Sequence, residues 1–319
     1  MQEKIFMVSK LIEIARYDND WPIQFEEEAA VIKKALGDNC MDIHHIGSTS
    51  VVGLSGKPII DIIVVSSNPS ASIQQLESLG YEYKGELNIP FRFYFSRPGF
   101  HLHMYMPDSP EVQLNLMFRD YLRSHLDACL DYMQLKQKLS DEQKHYKDAP
   151  PMFSHYTLGK NDFIRKILQQ LGFDRLRLMH CTHYTEWEAA KIFRQKYFFD
   201  KVAIADPYTW TFNHSDHVHF VLYKGSEIIG YAHLQKWPKC RAAMRIIVIN
   251  EDNRGKGFGS YLLEQCEKWL RMQGIKSIHI EASPEAETFY RHFEYVDMPF
   301  NDPGNYPSDS EDIQLGKIL

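Results

Sequence analysis

Apolar residues recur at helical spacing over 21–36, with Asp20 placed to cap the start, Pro22 in the first turn and Gly37 just past the end. Four strand-like runs follow, over 41–46, 58–65, 92–96 and 101–106, with a short helix over 70–79 between the second and third. A long helical stretch covers 112–143, its stripe made by Leu114, Leu116, Met117, Tyr121, Leu122 and Leu126. Pro150 and Pro151 break the pattern within 145–155, and a helix over 161–171 stops at Gly172. The pattern then restarts with a strand over 176–179 and a helix over 185–197. Strands over 218–223, 228–235 and 244–249 come next, the first two joined by a Lys224-Gly225-Ser226 turn. The chain closes with a helix over 257–272 ended by Gly274, a strand over 277–281, a helix over 284–293 and a strand over 313–318.

This order reads as two α/β (α+β) domains, 1–173 and 174–319, a division that 319 residues also favour. Lys and Arg total 36 against 42 Asp and Glu, so the net charge is -6, which argues against a surface built to coat nucleic acid. The five cysteines are too far apart for a redox pair or a zinc ribbon. Charged residues interrupt the first twenty positions, and no later stretch is apolar for about 20 residues, as a membrane span requires. A cytoplasmic protein with no membrane partner is the expectation.

The most informative segment is 246–263. A buried-looking strand feeds a turn with Gly255, Gly257 and Gly259, and then an apolar-periodic helix. Glycines at alternate positions leave backbone N–H groups free to face an anion that the helix dipole also favours. The spacing fits neither a Rossmann fingerprint nor a Walker A loop, since Gly53 to Lys57 is followed by Pro58 and not a hydroxyl residue. What it fits is R-x-x-G-x-G, from Arg254 through Lys256, Gly257 and Phe258 to Gly259.

That motif, with the flanking elements in order, resembles the pyrophosphate loop of the GNAT superfamily of acetyl-CoA-dependent N-acetyltransferases. The resemblance implies a mostly antiparallel mixed sheet flanked by helices. It implies that Arg254, Gly255, Lys256, Gly257, Phe258, Gly259 and Ser260 hold the cofactor pyrophosphate, and that Ile247, Val248 and Ile249 pair with its pantetheine arm. Tyr290 matches the tyrosine that protonates the leaving thiolate, the alternative being a packing role beside Phe289 and Phe293. Glu294 stands where the family carries glycine. For the base, Glu281 at a strand end is preferred to Glu251 in the loop, with a water relay as a third route. His214, His217 and His219 are read as solvated strand-edge residues rather than a zinc site, and Trp210, Phe212 and Trp237 as acceptor-pocket or core aromatics.

In the first half, Gly47-Ser48 ends a strand, a loop with Ser50, Gly53 and Lys57 follows, and Asp61 lies in the next strand. With His101-Leu102-His103, the run from Phe118 to Arg123, and Tyr156, Lys160, Phe163 and Ile164, this resembles the GrpB-like family within the nucleotidyltransferase superfamily. A mixed sheet with helices is implied. Gly-Ser would grip a triphosphate and paired carboxylates would hold Mg2+, a role here left to Asp61, because Ile63 fills the second position. The expected ligand site comprises Gly47, Ser48, Ser50, Lys57, Asp61, His103 and Arg119. Asp61 either anchors Lys57 or Arg119, or serves with His103 and Asn115.

The expected function is acetyl transfer from acetyl-CoA to a small-molecule amine or peptide acceptor, joined to a domain that binds a nucleotide or the substrate. The alternatives are a nucleotidyltransferase with an auxiliary GNAT domain and a non-catalytic sensor of acyl-CoA and nucleotide.

Overall fold

The computed structural model describes residues 13–143, 155–304 and 310–319. The chain divides into two units, Met1–Arg177 and Leu178–Leu319. Most of the proline-bearing break over 145–155 lies outside the described residues.

In the first unit, α1 (Asp20–Leu36) leads into β1 (Cys40–Ile46), β2 (Ile60–Ser66), α2 (Ile73–Ser78), β3 (Glu82–Tyr83), β4 (Phe93–Arg97) and β5 (Phe100–Tyr105). The sheet order is β1-β2-β5-β4-β3, with only β2 and β5 parallel. Trp21, Phe25 and Ile32 of α1 bury against Ile60, Ile62, Val64, Leu102 and Met104, so alternate strand residues face that helix. Asp20 proves to lie inside the first turn. Asn19 occupies the cap position without a side-chain bond, and the Asp18 carboxylate accepts from Asp20 N–H at 3.0 Å.

The expected helix over 112–143 is two helices, α3 (Pro110–Ser124) and α4 (Leu126–Gln143). His125 turns to extended backbone (φ -128°, ψ 95°) between them. The Ser124 hydroxyl donates to Asp120 O at 2.8 Å, and the His125 ring stacks on Tyr121. Local bonds of this kind compete with helix continuation. The unit ends with α5 (His155–Leu158) and α6 (Asn161–Gln170).

The second sheet begins with β6 (Leu176–His180), followed by α7 (Tyr184–Arg194), which passes into a π-helical turn (Gln195–Phe199) instead of continuing as an α-helix to residue 197. Then come β7 (His217–Lys224), β8 (Glu227–Trp237), β9 (Arg241–Ile249), α8 (Phe258–Met272), β10 (Ser277–Ala282), α9 (Glu287–His292), β11 (Val296–Asp297) and β12 (Ile313–Ile318). The order is β11-β12-β10-β9-β8-β7-β6, with β9 and β10 parallel within a mostly antiparallel sheet. Among the described residues no helix is long and apolar enough to cross a membrane.

Glu294 adopts φ +65°. Tyr295 N–H reaches Tyr290 O at 3.2 Å and Glu294 N–H reaches Arg291 O at 3.0 Å, the paired bonds of a Schellman stop with Glu294 at the position that favours glycine. The helix exit therefore follows a glycine-like path without a glycine. Glu294→Gly is expected to raise stability by about 1 kcal/mol, read by urea denaturation.

Candidate functional sites

In the second unit, β9 and β10 pair only at Ser277–Arg241, Ile278–Ala242 and His279–Ala243. Beyond Ala243 and His279 this pairing ends, so Ile247, Val248 and Ile249 on one strand and Ile280, Glu281 and Ala282 on the other border a splay. Glu281 is half-buried there. The loop after β9 is held from within: Arg254 Nε donates to Ile249 O at 2.9 Å and Lys256 Nζ to Asp252 O at 2.7 Å. Gly255 (φ +71°) and Gly257 (φ +83°) take left-handed backbone that side chains disfavour.

A Cβ at either glycine meets no heavy atom within 4 Å, so the space in front of the turn is open. Phe258, Gly259 and Ser260 open α8, whose first N–H groups have no partner inside the helix. Main-chain bonding resumes at Tyr261, which donates to Gly257 O at 3.0 Å. This cradle fits a pyrophosphate.

Tyr290 is buried on α9, 5.2 Å from the Phe289 ring and 5.5 Å from Tyr295. Burial, reinforced by Cys266, pushes its phenol well above the ordinary range, so it keeps its proton at neutral pH. Glu251 is exposed and bonded to Lys196 (2.7 Å) and Tyr197 (3.1 Å), which hold its carboxylate below the usual range. A carboxylate held this low is a weak base. Trp237 packs with Ala243 and Phe300 in a small core cluster, while Trp210 is 43% exposed.

His214 is exposed, but His217 and His219 overturn the expectation of solvated edge residues. β7 lies inside the sheet, and His217, His219 and the unanticipated His233 are all buried. His217 Nδ1 lies 2.8 Å from His233 Nε2, and His233 Nδ1 lies 3.1 Å from a nitrogen of Arg194, itself 1% exposed and bound bidentately to Asp206. His219 bonds Tyr231 at 2.7 Å. Burial drives His217 down to about 4 and His219 to about 3, leaving both neutral.

In the first unit, Gly47 follows β1 at φ +71°, and a Cβ there would overlap Asp61 Oδ2, so the position requires glycine twice over. Asp61 Oδ1 faces His101 Nδ1 at 3.4 Å and His103 Nε2 at 3.7 Å. Although burial opposes ionisation, these two histidines hold its carboxyl well below the usual range. Asp61 therefore sits with histidines from the neighbouring parallel strand, not on Arg119.

Ser50 and Arg119 belong to a neighbouring cavity of about 610 Å³, shared with Tyr17, Phe25, His45 and Arg123. Arg119 donates to His45 O at 3.0 Å and Arg123 to Ser50 O at 2.8 Å. Asn115 bonds Glu111 O on its own helix.

Lys136 is the residue sequence reasoning missed. It is 1% exposed, donates to Ser48 Oγ at 2.9 Å and to Ser55 O, and lies 5.0 Å from the Tyr132 ring centroid. Its signal was its phase, four residues after Tyr132 and three before Leu139 in the buried stripe of α4. Lys57 and Lys160 both lie over the Tyr156 ring, at 4.8 and 4.7 Å.

These residues do not fit Mg2+. Ile63, where a second carboxylate is needed, is fully buried with Ile46 and Tyr105, and the side chains that face the Asp61 carboxylate most closely are the His101 and His103 imidazoles.

A family model described as GrpB protein matches residues 11–170, and one described as the Acetyltransferase (GNAT) family matches residues 179–295. UPF0157 protein YqkA of Bacillus subtilis is 35% identical over 161 residues, covering 48% of this chain and 45% of that protein. UPF0157 protein BH1888 of Halalkalibacterium halodurans is 35% identical over 150 residues, covering 43% of this chain and 76% of that protein. This chain thus spans less than half the length of the B. subtilis relative. The crystal structure of conserved protein GrpB from Enterococcus faecalis is 36% identical, with a TM-score of 0.44, covering 50% of this chain and 96% of that one.

Proposed function

We propose, for a chain that belongs to the GrpB family over residues 11–170 and carries a GNAT-family acetyltransferase domain over residues 179–295, that the second unit acetylates a small-molecule amine or a peptide with acetyl-CoA. The first unit, on this reading, binds a phosphate-bearing ligand such as a nucleotide without transferring it. The observation that carries the first part is the end of β9–β10 pairing at Ala243–His279, beside a loop where a Cβ on Gly255 or Gly257 would meet only open space. Ile247 to Ile249 then offer main-chain groups to the pantetheine arm, and Arg254 to Ser260 offer theirs to the pyrophosphate.

In the reaction the amine nitrogen bonds to the thioester carbonyl carbon and the carbon–sulfur bond breaks. Tyr290 gives its proton to the departing thiolate, and Glu281 takes one from the amine. A phenol held protonated by burial is suited to the first task. The absence of a second carboxylate at Ile63 supports binding over transfer in the first unit.

The test is an acetyl-transfer screen of amines, including aminoglycosides, polyamines, amino acids and peptide N-termini, with product masses recorded. Tyr290→Phe should lower kcat on any acceptor found by about 100-fold with little change in the KM for acetyl-CoA. Undiminished turnover across pH would assign the tyrosine to packing alone.

A further inference from the structure

Three lysines from separate stretches of chain lie near one another in the first unit, two of them, Lys57 and Lys160, within the field of the Asp61 carboxylate. Lys57 follows the Gly47 loop, Lys136 comes from α4 and Lys160 precedes α6. Tyr156 joins two of them, lying under both Lys57 and Lys160, and Ser48 receives the third. Asp61 acts on Lys57 and Lys160, while Lys160 acts on Lys136, so all belong to one field.

We propose that this cluster is a phosphate site that works without a divalent metal, the lysine ammonium groups and Ser48 taking the place of the cation that Asp61 and Ile63 cannot hold. The inference deepens the reading of the first unit as a binder of phosphate-bearing ligands and rests on it.

Charge selects the ligand class. Three protonated lysines against Asp61 leave an excess that one carboxylate does not balance and a phosphate dianion does. The imbalance is expressed in the lysines themselves. Burial first, and Lys160 second, push Lys136 down to about 7, and burial with Lys57 pushes Lys160 down to about 8. Burial lowers Lys57 as well, against the pull of Asp61.

The groups facing Lys136 are Lys160 from the start of α6, Ser48 and Ser55 from the loop, and Cys129 and Tyr132 on its own helix. Lys57, Asp61 and Tyr156 complete the cluster around Lys160. Asp61, the one carboxylate among them, is not among the groups that act on Lys136. An arriving phosphate supplies the missing negative charge and restores the protons that burial removes.

Calorimetric titration of the full chain with inorganic pyrophosphate, in chelator and again with Mg2+, tests this. Binding is expected in chelator, with an affinity changed less than about threefold by Mg2+. Because Lys136 and Lys160 lose their protons near pH 7 and 8 when no ligand is bound and keep them beside a phosphate, affinity should fall as pH rises from 6 to 9. Each proton taken up contributes about tenfold per pH unit above the free pKa. Lys136→Met and, as a less buried second variant, Lys160→Gln should each weaken binding about tenfold or more. Binding seen only with Mg2+ would overturn the metal-free site while keeping a phosphate ligand. No binding under either condition would overturn both, and unchanged affinity in both variants would remove the lysines from the site.

Discussion

Gly257→Val is expected to abolish acetyl-CoA binding, with affinity reduced at least about 100-fold in a calorimetric titration, equivalent to about 3 kcal/mol. The backbone at Gly257 takes φ +83°, where a β-branched residue is strained by more than the ~1–2 kcal/mol that left-handed geometry costs an L-residue. A Cβ there points at open space in the protein, so the new side chain intrudes where the pyrophosphate would lie rather than into the fold. Gly274 makes the matched control. It holds φ +76° just past the other end of the same helix and also has open space around its Cβ. Gly274→Val should lower stability comparably and leave the cofactor affinity near wild type. Equal losses of affinity in both variants, or none in Gly257→Val, would refute the cradle.

Asp206→Ala should destabilise the second unit by about 3–5 kcal/mol, because it strands the guanidinium of Arg194. Arg194 is 1% exposed, and its bonds to Asp206 are 2.5 and 3.0 Å. Against a total stability of about 5–15 kcal/mol, a loss of that size brings unfolding close to ambient conditions. The comparison is Glu188→Ala, which breaks an exposed ion pair with Lys191 of similar length (2.6 Å) and should cost less than about 1 kcal/mol. Urea denaturation monitored by tryptophan fluorescence separates the two. Equal shifts would mean that the Asp206 bond contributes no more than a surface contact.

Much of the architecture was legible in the chain because long elements carry their period with them. Trp21, Phe25 and Ile32 repeat at helical spacing, and the run from Arg254 to Gly259 identifies its own turn. Short elements escaped for the opposite reason. Glu82–Tyr83 and Val296–Asp297 are two residues each, too brief for any period, and exist through pairing with β4 and β12. The break at His125 depends on side-chain bonds that composition does not announce.

The sites divide in the same manner. The glycines of the second unit were readable, whereas Lys136 reads as one more helix lysine until Ser48, 88 positions earlier, is brought against it. His217 and His219 alternate with Val218 and Phe220, which is the signature of a half-exposed strand. It is the covering of both strand faces that buries them.

The buried chain from Arg194 to His217 also has a direction. A guanidinium donates and never accepts, so Nδ1 of His233 must offer its lone pair to Arg194. A neutral His233 then carries hydrogen on Nε2 and donates it to Nδ1 of His217, which places the proton of His217 on its own Nε2. One charged side chain thereby chooses the tautomer of two rings in succession. The lone pairs of His233 and His217 that a metal ion would need are already used, so these two rings act here as an oriented structural relay rather than as ligands.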